Sequence, residues 1–316
     1  MLNRRHLRIK VLQALYAYFQ SDEENYRRTE NEMMNAIDRI YDLYLYLLLS
    51  FSELKEIEAR RLEELKTAKI RPTETDLNPN LKFVENTVFT LLESNYALRR
   101  AAEDNKVNWI GDEHQEMFRK ILSQIRENET YFAYMGNGES SFQDDLEFAT
   151  ALFKNDIANS PLIYNFFEEK SIHWMDDIDL ACSMVLKTLK AFSEEGPNEI
   201  LPLFKDPQDE KEFVRILLRK TIDNDKENLL LIDDLTKNWD LDRIAKMDII
   251  LMKMAITELQ EFNNIPKKVT LNEYIEISKF YSTPKSNGFI NGILDKAIDR
   301  LEKENKISKI GRGLMD

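Results

Sequence analysis

The sequence predicts an all-α protein. Its 316 residues include only 8 glycines and 8 prolines, so turns and strand breaks are few. Long stretches rich in Leu, Ile, Glu, Lys and Arg recur along the chain, a composition that favours helices. Apolar residues make up 43% of the chain, which is enough for a sizeable buried core. We therefore expect packed helices throughout, in one large or two smaller domains.

The first predicted helix spans residues 4–20 and begins with a basic arm. Apolar residues recur at helical spacing and give it one buried face, and Asn3 is placed to cap its start. Cations at a helix start oppose the macrodipole, so a bound phosphate would relieve them. A solvated basic end without a ligand is the alternative reading. The first ten residues of the chain include no acidic residue. The basic arm consists of Arg4, Arg5, Arg8 and Lys10.

Residues 23–205 are predicted to form further helices and a polar linker. The proline-containing stretch 71–80 is expected to connect two helices, and the glycine- and serine-rich stretch 135–141 is expected to form a flexible joint. The helical patterns cover roughly 29–68, 80–106, 112–134, 142–158, 161–170 and 176–194.

Three more helices are predicted within residues 239–301. Asp240 or Asp242 is placed to cap the first, which ends before Pro266. The second is expected to begin with a T-x-x-E capping box formed by Thr270 and Glu273. The third has Ser286 or Asn287 as its candidate cap. The remaining residues, 304–316, are expected to form a mobile tail.

The start of the third of these helices has features of a nucleotide-binding site. Its apolar stripe begins at Ile290, and Phe289 lies off that stripe, beside amide groups that have no partner within the helix. Lys285 adds a positive charge one turn earlier. An aromatic ring for a base and a cation for a phosphate suit a nucleotide. The alternative is that Phe289 only packs on a neighbouring helix.

Several classes of protein are disfavoured. The single cysteine, Cys182, excludes an internal disulfide, and the three scattered histidines cannot form a zinc cluster with it. Phosphate-loop, dinucleotide, metalloprotease and kinase signatures are absent. The acidic pairs 144–145, 176–177 and 233–234 lie in charged helical stretches, where solvation or capping explains them. We expect no enzyme activity, no cofactor and no metal.

Charge and hydropathy indicate a cytoplasmic protein. No apolar run reaches the length needed to span a membrane, and the basic start is not followed by a cleavable signal peptide. The net charge of −13 argues against nonspecific nucleic-acid binding by the whole surface. A basic arm on an acidic body is instead typical of a localised interaction.

Short motifs near both ends of the chain resemble the NusB family of bacterial antitermination factors. The opening, NRRHLRIKVLQALYAYFQS, is similar to the family's arginine-rich start leading into Gln-Ala-Leu-Tyr. Later matches, in the family's order and spacing, are Glu258–Leu259, Ile265–Pro266, Val269 to Glu273, and Phe289 to Asp295. The resemblance implies a NusB-like helical bundle assembled from residues 1–22 and 206–303, with residues 23–205 as an additional helical insertion domain.

The resemblance also implies a function in transcription. The protein would bind the single-stranded boxA element of ribosomal RNA operon transcripts, together with the small-subunit ribosomal protein NusE, within the RNA polymerase antitermination complex. The alternative is a helical protein–protein scaffold that has lost RNA binding. Asn291 would contact RNA or hold the neighbouring loop. The residues expected to bind RNA are Arg4, Arg5, Arg8, Lys10, Lys285, Ser286, Phe289 and Asn291.

One loop departs from the family pattern. The family often has an acidic residue just before its Phe-x-Asn-Gly element, where this chain has Thr283, Pro284 and Lys285. The same loop is linked in the family to the ribosomal partner. Partner contacts are therefore expected to differ at this loop.

Overall fold

A computed structural model describes residues 1–21, 25–68, 73–138, 141–236 and 243–314 of the chain. These residues form fifteen α-helices and no strand, which confirms the all-α fold class. None of their helices has the length and apolar character that crossing a membrane requires. The helices are α1 (Arg4–Gln20), α2 (Tyr26–Ala68), α3 (Glu74–Leu77), α4 (Thr87–Ser94), α5 (Tyr96–Asn105), α6 (Asp112–Ile125), α7 (Glu129–Gly136), α8 (Phe142–Leu152), α9 (Pro161–Lys170), α10 (Ile178–Ala191), α11 (Pro207–Asp223), α12 (Asp225–Leu235), α13 (Lys246–Glu261), α14 (Lys267–Tyr281) and α15 (Ser286–Lys303).

The chain divides into two compact units. The central unit contains residues 38–203 together with residue 1, and the terminal unit contains residues 2–37 and 204–316. The terminal unit thus combines α1 with α11–α15. The division at 37/38 falls inside α2, whereas the sequence analysis placed a boundary near residue 22. The assignment of 23–205 as an insertion into a family domain stays a prediction.

The central unit is built on an aromatic core. Phe51, Phe83, Phe89 and Phe148 are buried together, and the ring of Tyr134 stacks on that of Phe148 at 3.9 Å between centroids. This stack joins α7 to α8 across the stretch predicted to be a flexible joint, of which residues 139–140 lie outside the described part.

Two of the predicted helices in the central unit are each divided in two. Asn95 ends α4, and its side chain accepts a hydrogen bond from the backbone of Leu98 to cap α5. Asn128 caps α7 in the same way through Tyr131. Asparagine side chains favour such caps over helix interiors, which is why the helical pattern continues in sequence while the helix itself stops.

The terminal unit is organised around α13. Every residue from Ile250 to Leu259 is buried, and α1, α11, α12, α14 and α15 all pack against this helix. Contacts at both ends fix the directions. Arg8 pairs with Glu258, while Gln20 accepts a hydrogen bond from Lys246, so α1 runs antiparallel to α13. Thr270, near the start of α14, donates to Glu258 near the end of α13, so α14 is antiparallel to α13. Ser286, at the start of α15, donates to Asp248 near the start of α13, so α15 is parallel to it.

Some predicted helix starts are corrected. The predicted capping box of Thr270 and Glu273 is wrong, because α14 already begins at Lys267, directly after Pro266. Both side chains instead contact other helices. The third helix begins at Ser286, but Ser286 bonds to α13 and no side chain caps α15. The predicted caps Asp240 and Asp242 lie outside the described residues.

The first part of the tail is hydrogen-bonded to the residues that directly follow α13. The Lys309 ammonium group donates to the carbonyl of Phe262 at 2.9 Å, and the Ile310 amide donates to that of Asn263 at 3.0 Å. Burial lowers the pKa of Lys309 to about 8. The predicted mobility of residues 304–316 stays a prediction.

A tyrosine hydroxyl in the central unit provides a stability test. The buried Tyr44 hydroxyl accepts from the Leu201 amide at 2.9 Å and lies 2.5 Å from the Thr188 hydroxyl. Tyr44→Phe leaves the amide without that partner, so we expect a loss of about 1–3 kcal/mol in the free energy of unfolding, measured with urea. Tyr41→Phe is the matched control, because Tyr41 also packs against the core of this unit but its hydroxyl forms no hydrogen bond within the described residues. Equal effects of the two substitutions would contradict the assignment.

Candidate RNA interface

A buried ion pair positions the basic arm. The guanidinium of Arg8 donates from Nε and Nη2 to the two carboxylate oxygens of Glu258, each at 2.7 Å. Both side chains are almost completely buried, at 1% and 0% exposure. Burial alone would lower the pKa of Arg8, but attraction to Glu258 and the hydrogen bonds outweigh it and raise that pKa. Arg8 is thus a permanent charge inside the helix packing.

Two hydroxyl groups complete the carboxylate of Glu258. Thr270 donates to Oε1 at 2.8 Å and Tyr274 donates to Oε2 at 3.1 Å. Burial and the negative charge of Glu258 raise the pKa of Tyr274, so its hydroxyl keeps the proton that it donates. A buried charge pair needs such further hydrogen bonds to offset its desolvation. The cluster therefore joins α1, α13 and α14.

The first two arginines of the arm lie at the surface. Arg4 pairs with Asp209 at 2.5 Å and lies over the ring of Phe213, 4.1 Å from its centroid. Arg5 donates from Nε and Nη2 to Glu273, both at 2.9 Å. The Arg5 side chain is 41% exposed. Ion pairs at this exposure are weak, so a phosphate can compete for both cations.

An open cleft of about 570 Å³ lies beside these cations. Its walls come from the start of α1 and from the connection between α13 and α14. Besides the arm, the lining includes Asn264, Ile265, Pro266, Val269 and Glu273. Lys10, the last residue of the predicted arm, is only 4% exposed and does not line this cleft. Asn3 caps α1 as predicted, accepting from the amide of His6.

A buried carboxylate holds the loop before α15. Asp248 accepts hydrogen bonds from the hydroxyls of Ser282 and Ser286, the latter at 2.6 Å. Thr283 and Ser286 are 2.7 Å apart through their hydroxyl oxygens. Ser286 is 4% exposed. Its hydroxyl therefore anchors the loop to α13, although the sequence analysis expected it to contact RNA.

The first turns of α15 have an open face. Lys285 is exposed and Phe289 is half-buried. At Gly288 and Gly292, four residues apart on one helix face, an added Cβ would meet no atom within 4 Å. Asn291 donates to Asp295 of the same helix at 3.2 Å and forms no bond to the loop before it. A ligand can thus approach the backbone of α15 closely at this face.

The two predicted clusters lie at opposite ends of α13. Arg8 contacts Glu258 near the end of that helix, whereas Ser286 contacts Asp248 near its start. Ten residues of α-helix span about 15 Å along the axis. The basic arm and the start of α15 are therefore not side by side in one groove. The structure brings together Arg4, Arg5 and Arg8 at one end and Lys285, Ser286 and Phe289 at the other.

The acidic residues that organise both clusters were not among the site residues predicted from the sequence. Glu258 and Asp248 are buried carboxylates on α13, and Glu273 is the partner of Arg5. Glu258 lies in a stretch that is otherwise almost wholly apolar. A charged residue in such a stretch is rarely buried unless it is paired, and this is the signal that could have identified it.

The buried pair can be separated from the exposed one by substitution. Arg8→Met leaves Glu258 buried without its cation, and we expect it to lower the free energy of unfolding by about 3–5 kcal/mol. Arg5→Met removes a pair of the same bidentate geometry at the surface, with an expected loss of about 0–1 kcal/mol. Adding Glu258→Met to Arg8→Met is expected to recover part of the loss, because it removes the unpaired buried charge but leaves the hydroxyls of Thr270 and Tyr274 without their acceptor. Urea unfolding measures all three, and similar losses for Arg8→Met and Arg5→Met would contradict the structural role of Arg8.

Comparison with known proteins identifies the family. Residues 180–299 match the sequence profile described as the NusB family. The chain is 40% identical over 115 residues to a protein of Salinibacter ruber, a span that covers 36% of this chain and 71% of that protein. It is 32% identical over 128 residues to a protein of Natranaerobius thermophilus, covering 38% of this chain and 92% of the relative.

A further relative, from Chloroherpeton thalassium, is 40% identical over 106 residues, which are 34% of this chain and half of the relative. All three relatives bear the name transcription antitermination protein NusB. No solved structure matches the chain. The matches cover nearly the whole of the Natranaerobius protein and most of the Salinibacter protein, at identities of 32% and 40%. The chain belongs to the NusB family.

Proposed function

We propose that this protein is a transcription antitermination factor that binds the boxA element of ribosomal RNA operon transcripts together with the ribosomal protein NusE. It acts in the cytoplasm as a non-enzymatic adaptor within the RNA polymerase antitermination complex. The observation that carries the proposal is the surface pair of cations, Arg4 and Arg5, which a buried ion pair presents beside an open cleft on a chain of net charge −13.

The geometry supports different roles for the residues of the arm. Arg4 and Arg5 are the phosphate-binding cations, because both line the open cleft, Arg4 paired with the exposed Asp209 and Arg5 with the half-buried Glu273. Arg8 is a positioning residue that fixes α1 on α13 and α14. Lys10 is 4% exposed and does not line the cleft, so it is not counted among the phosphate-binding cations. Fewer charges therefore contact RNA phosphates than the sequence predicted, because Arg8 and Lys10 are buried.

The start of α15 provides the second contact. Lys285 supplies a cation, Phe289 an aromatic edge, and the face of Gly288 and Gly292 close access to the backbone. The separation of about 15 Å between the two clusters is on the order of four or five nucleotides at 3.4 Å per stacked nucleotide. One single strand can reach both. The exposed loop formed by Thr283, Pro284 and Lys285 departs from the family pattern, so contacts with NusE there are expected to differ from those of the family.

Salt dependence tests the RNA contacts. Three phosphate contacts to a single strand, from Arg4, Arg5 and Lys285, predict a slope of about −2 in a plot of log K against log salt concentration. Arg5→Gln is expected to weaken boxA binding and to reduce the slope by about 0.7. Glu273→Gln, which removes the negative charge that pairs with Arg5, is expected to raise the affinity. Fluorescence anisotropy with a labelled boxA oligonucleotide measures both.

Arg100→Gln is the matched control, because Arg100 is also an exposed arginine in a surface pair, 3.8 Å from Asp104. It is expected to leave affinity and slope unchanged. A scrambled RNA and the addition of NusE establish sequence preference and partner dependence. If boxA does not bind with or without NusE, the proposal fails and a protein–protein scaffold is the better description.

A further inference from the structure

A pocket of about 350 Å³ lies in the central unit between the second half of α2 and helix α6. It is far along the chain from the residues proposed to bind RNA. Its lining residues recur every three or four positions on each helix, so they share one helix face. We call it the arginine pocket, and its lining comprises Ile57, Arg60, Arg61, Glu64, Arg119, Leu122, Ser123 and Arg126.

The charge of the arginine pocket is opposite to that of the protein. Its described lining contains four guanidinium groups and one carboxylate, on a chain whose net charge is −13. The side chains of Ile57 and Leu122 are buried and supply an apolar base. Like charges that converge at a concave site repel one another unless an anion joins them.

The four arginines differ in how firmly they are already bound. Arg61 donates to both oxygens of the buried Glu58, at 2.7 and 2.6 Å, and is thereby fixed in place. Arg60 donates to the amide oxygen of Gln115 at 2.7 Å, and its nearest carboxylate, that of Glu56, is 3.5 Å away. These bonds orient both guanidinium groups and leave the charge of Arg60 weakly compensated.

Arg119 of α6 and Arg126, the residue directly after that helix, also have weak ionic compensation. Arg119 lies 3.7 Å from Glu116, and both side chains are more than half exposed. Arg126 lies near the hydroxyl of Tyr131, a neutral group, and lowers the pKa that burial raises there. An anion in the pocket therefore does not have to displace a strong ion pair from Arg60, Arg119 or Arg126.

We infer that the arginine pocket binds a compact phosphorylated anion of the diphosphate class, either free or as part of a nucleotide. Guanidinium groups match phosphate oxygens with paired, charge-assisted hydrogen bonds, and the Ser123 hydroxyl adds a further donor. The volume lies within the range of small-molecule sites. The described lining includes no aromatic ring, so the pocket recognises the phosphates and not a base.

Isothermal titration of the full-length protein with inorganic pyrophosphate tests the inference. The double variant Arg119→Gln and Arg126→Gln is expected to weaken pyrophosphate binding by at least about tenfold, since each substitution removes a charged hydrogen bond. Arg61 is left unchanged because it pairs with a buried carboxylate. Arg100→Gln, outside the pocket, is the control and is expected to bind as the unsubstituted protein does. Unchanged thermal unfolding of the variants excludes misfolding as the cause of lost binding.

Further titrations identify the source of the diphosphate. A nucleoside diphosphate that binds no more tightly than pyrophosphate supports recognition of the phosphates alone. Absence of pyrophosphate binding, or equal binding by the double variant, would overturn the inference. The inference would also be overturned if pyrophosphate did not bind while an RNA strand without terminal phosphates did, in a manner that depends on Arg119 and Arg126. The inference is independent of the boxA proposal, whose test relies on Arg5 and Glu273.

Discussion

The terminal unit depends on one buried charge pair, that of Arg8 and Glu258. A guanidinium and a carboxylate removed from water are costly, and the cost is offset only because every oxygen of the carboxylate is hydrogen-bonded. The pair forms only when α1, which carries Arg8, and α14, which carries the two hydroxyl donors, are both correctly placed against α13. It therefore specifies the arrangement of three helices, and the exposed cations of the arm are placed as a result.

Helix α13 separates structural roles from binding roles. Its middle is buried on all sides, while Asp248 near its start and Glu258 near its end each hold one cluster of candidate RNA-binding residues. Binding surfaces are thus presented by short segments at the two ends of a rigid element. Rigid support of this kind reduces the ordering cost when a flexible single strand binds.

Periodicity, composition and family motifs were sufficient to predict the all-α class, most helices and the arm with its Asn3 cap. They could not predict the burial of Arg8, because the partner that makes burial possible is 250 residues away in sequence. The capping box at Thr270 failed for a related reason, since Glu258 uses that hydroxyl. The separation of the two clusters depends on the direction in which α1 and α15 pack on α13, which no local pattern contains.

The division of the terminal unit between both ends of the chain has a consequence for synthesis. Arg8 leaves the translating ribosome long before Glu258, and at about 5–20 residues per second the intervening 250 residues take about 12–50 s. During that interval α1 exists without the helices that cover its apolar face, while the central unit can already be complete. Nascent α1 can therefore bind a chaperone or associate with the wrong apolar surface before its partners exist. It is covered only when the last hundred residues, which contain α11–α15, have been synthesised.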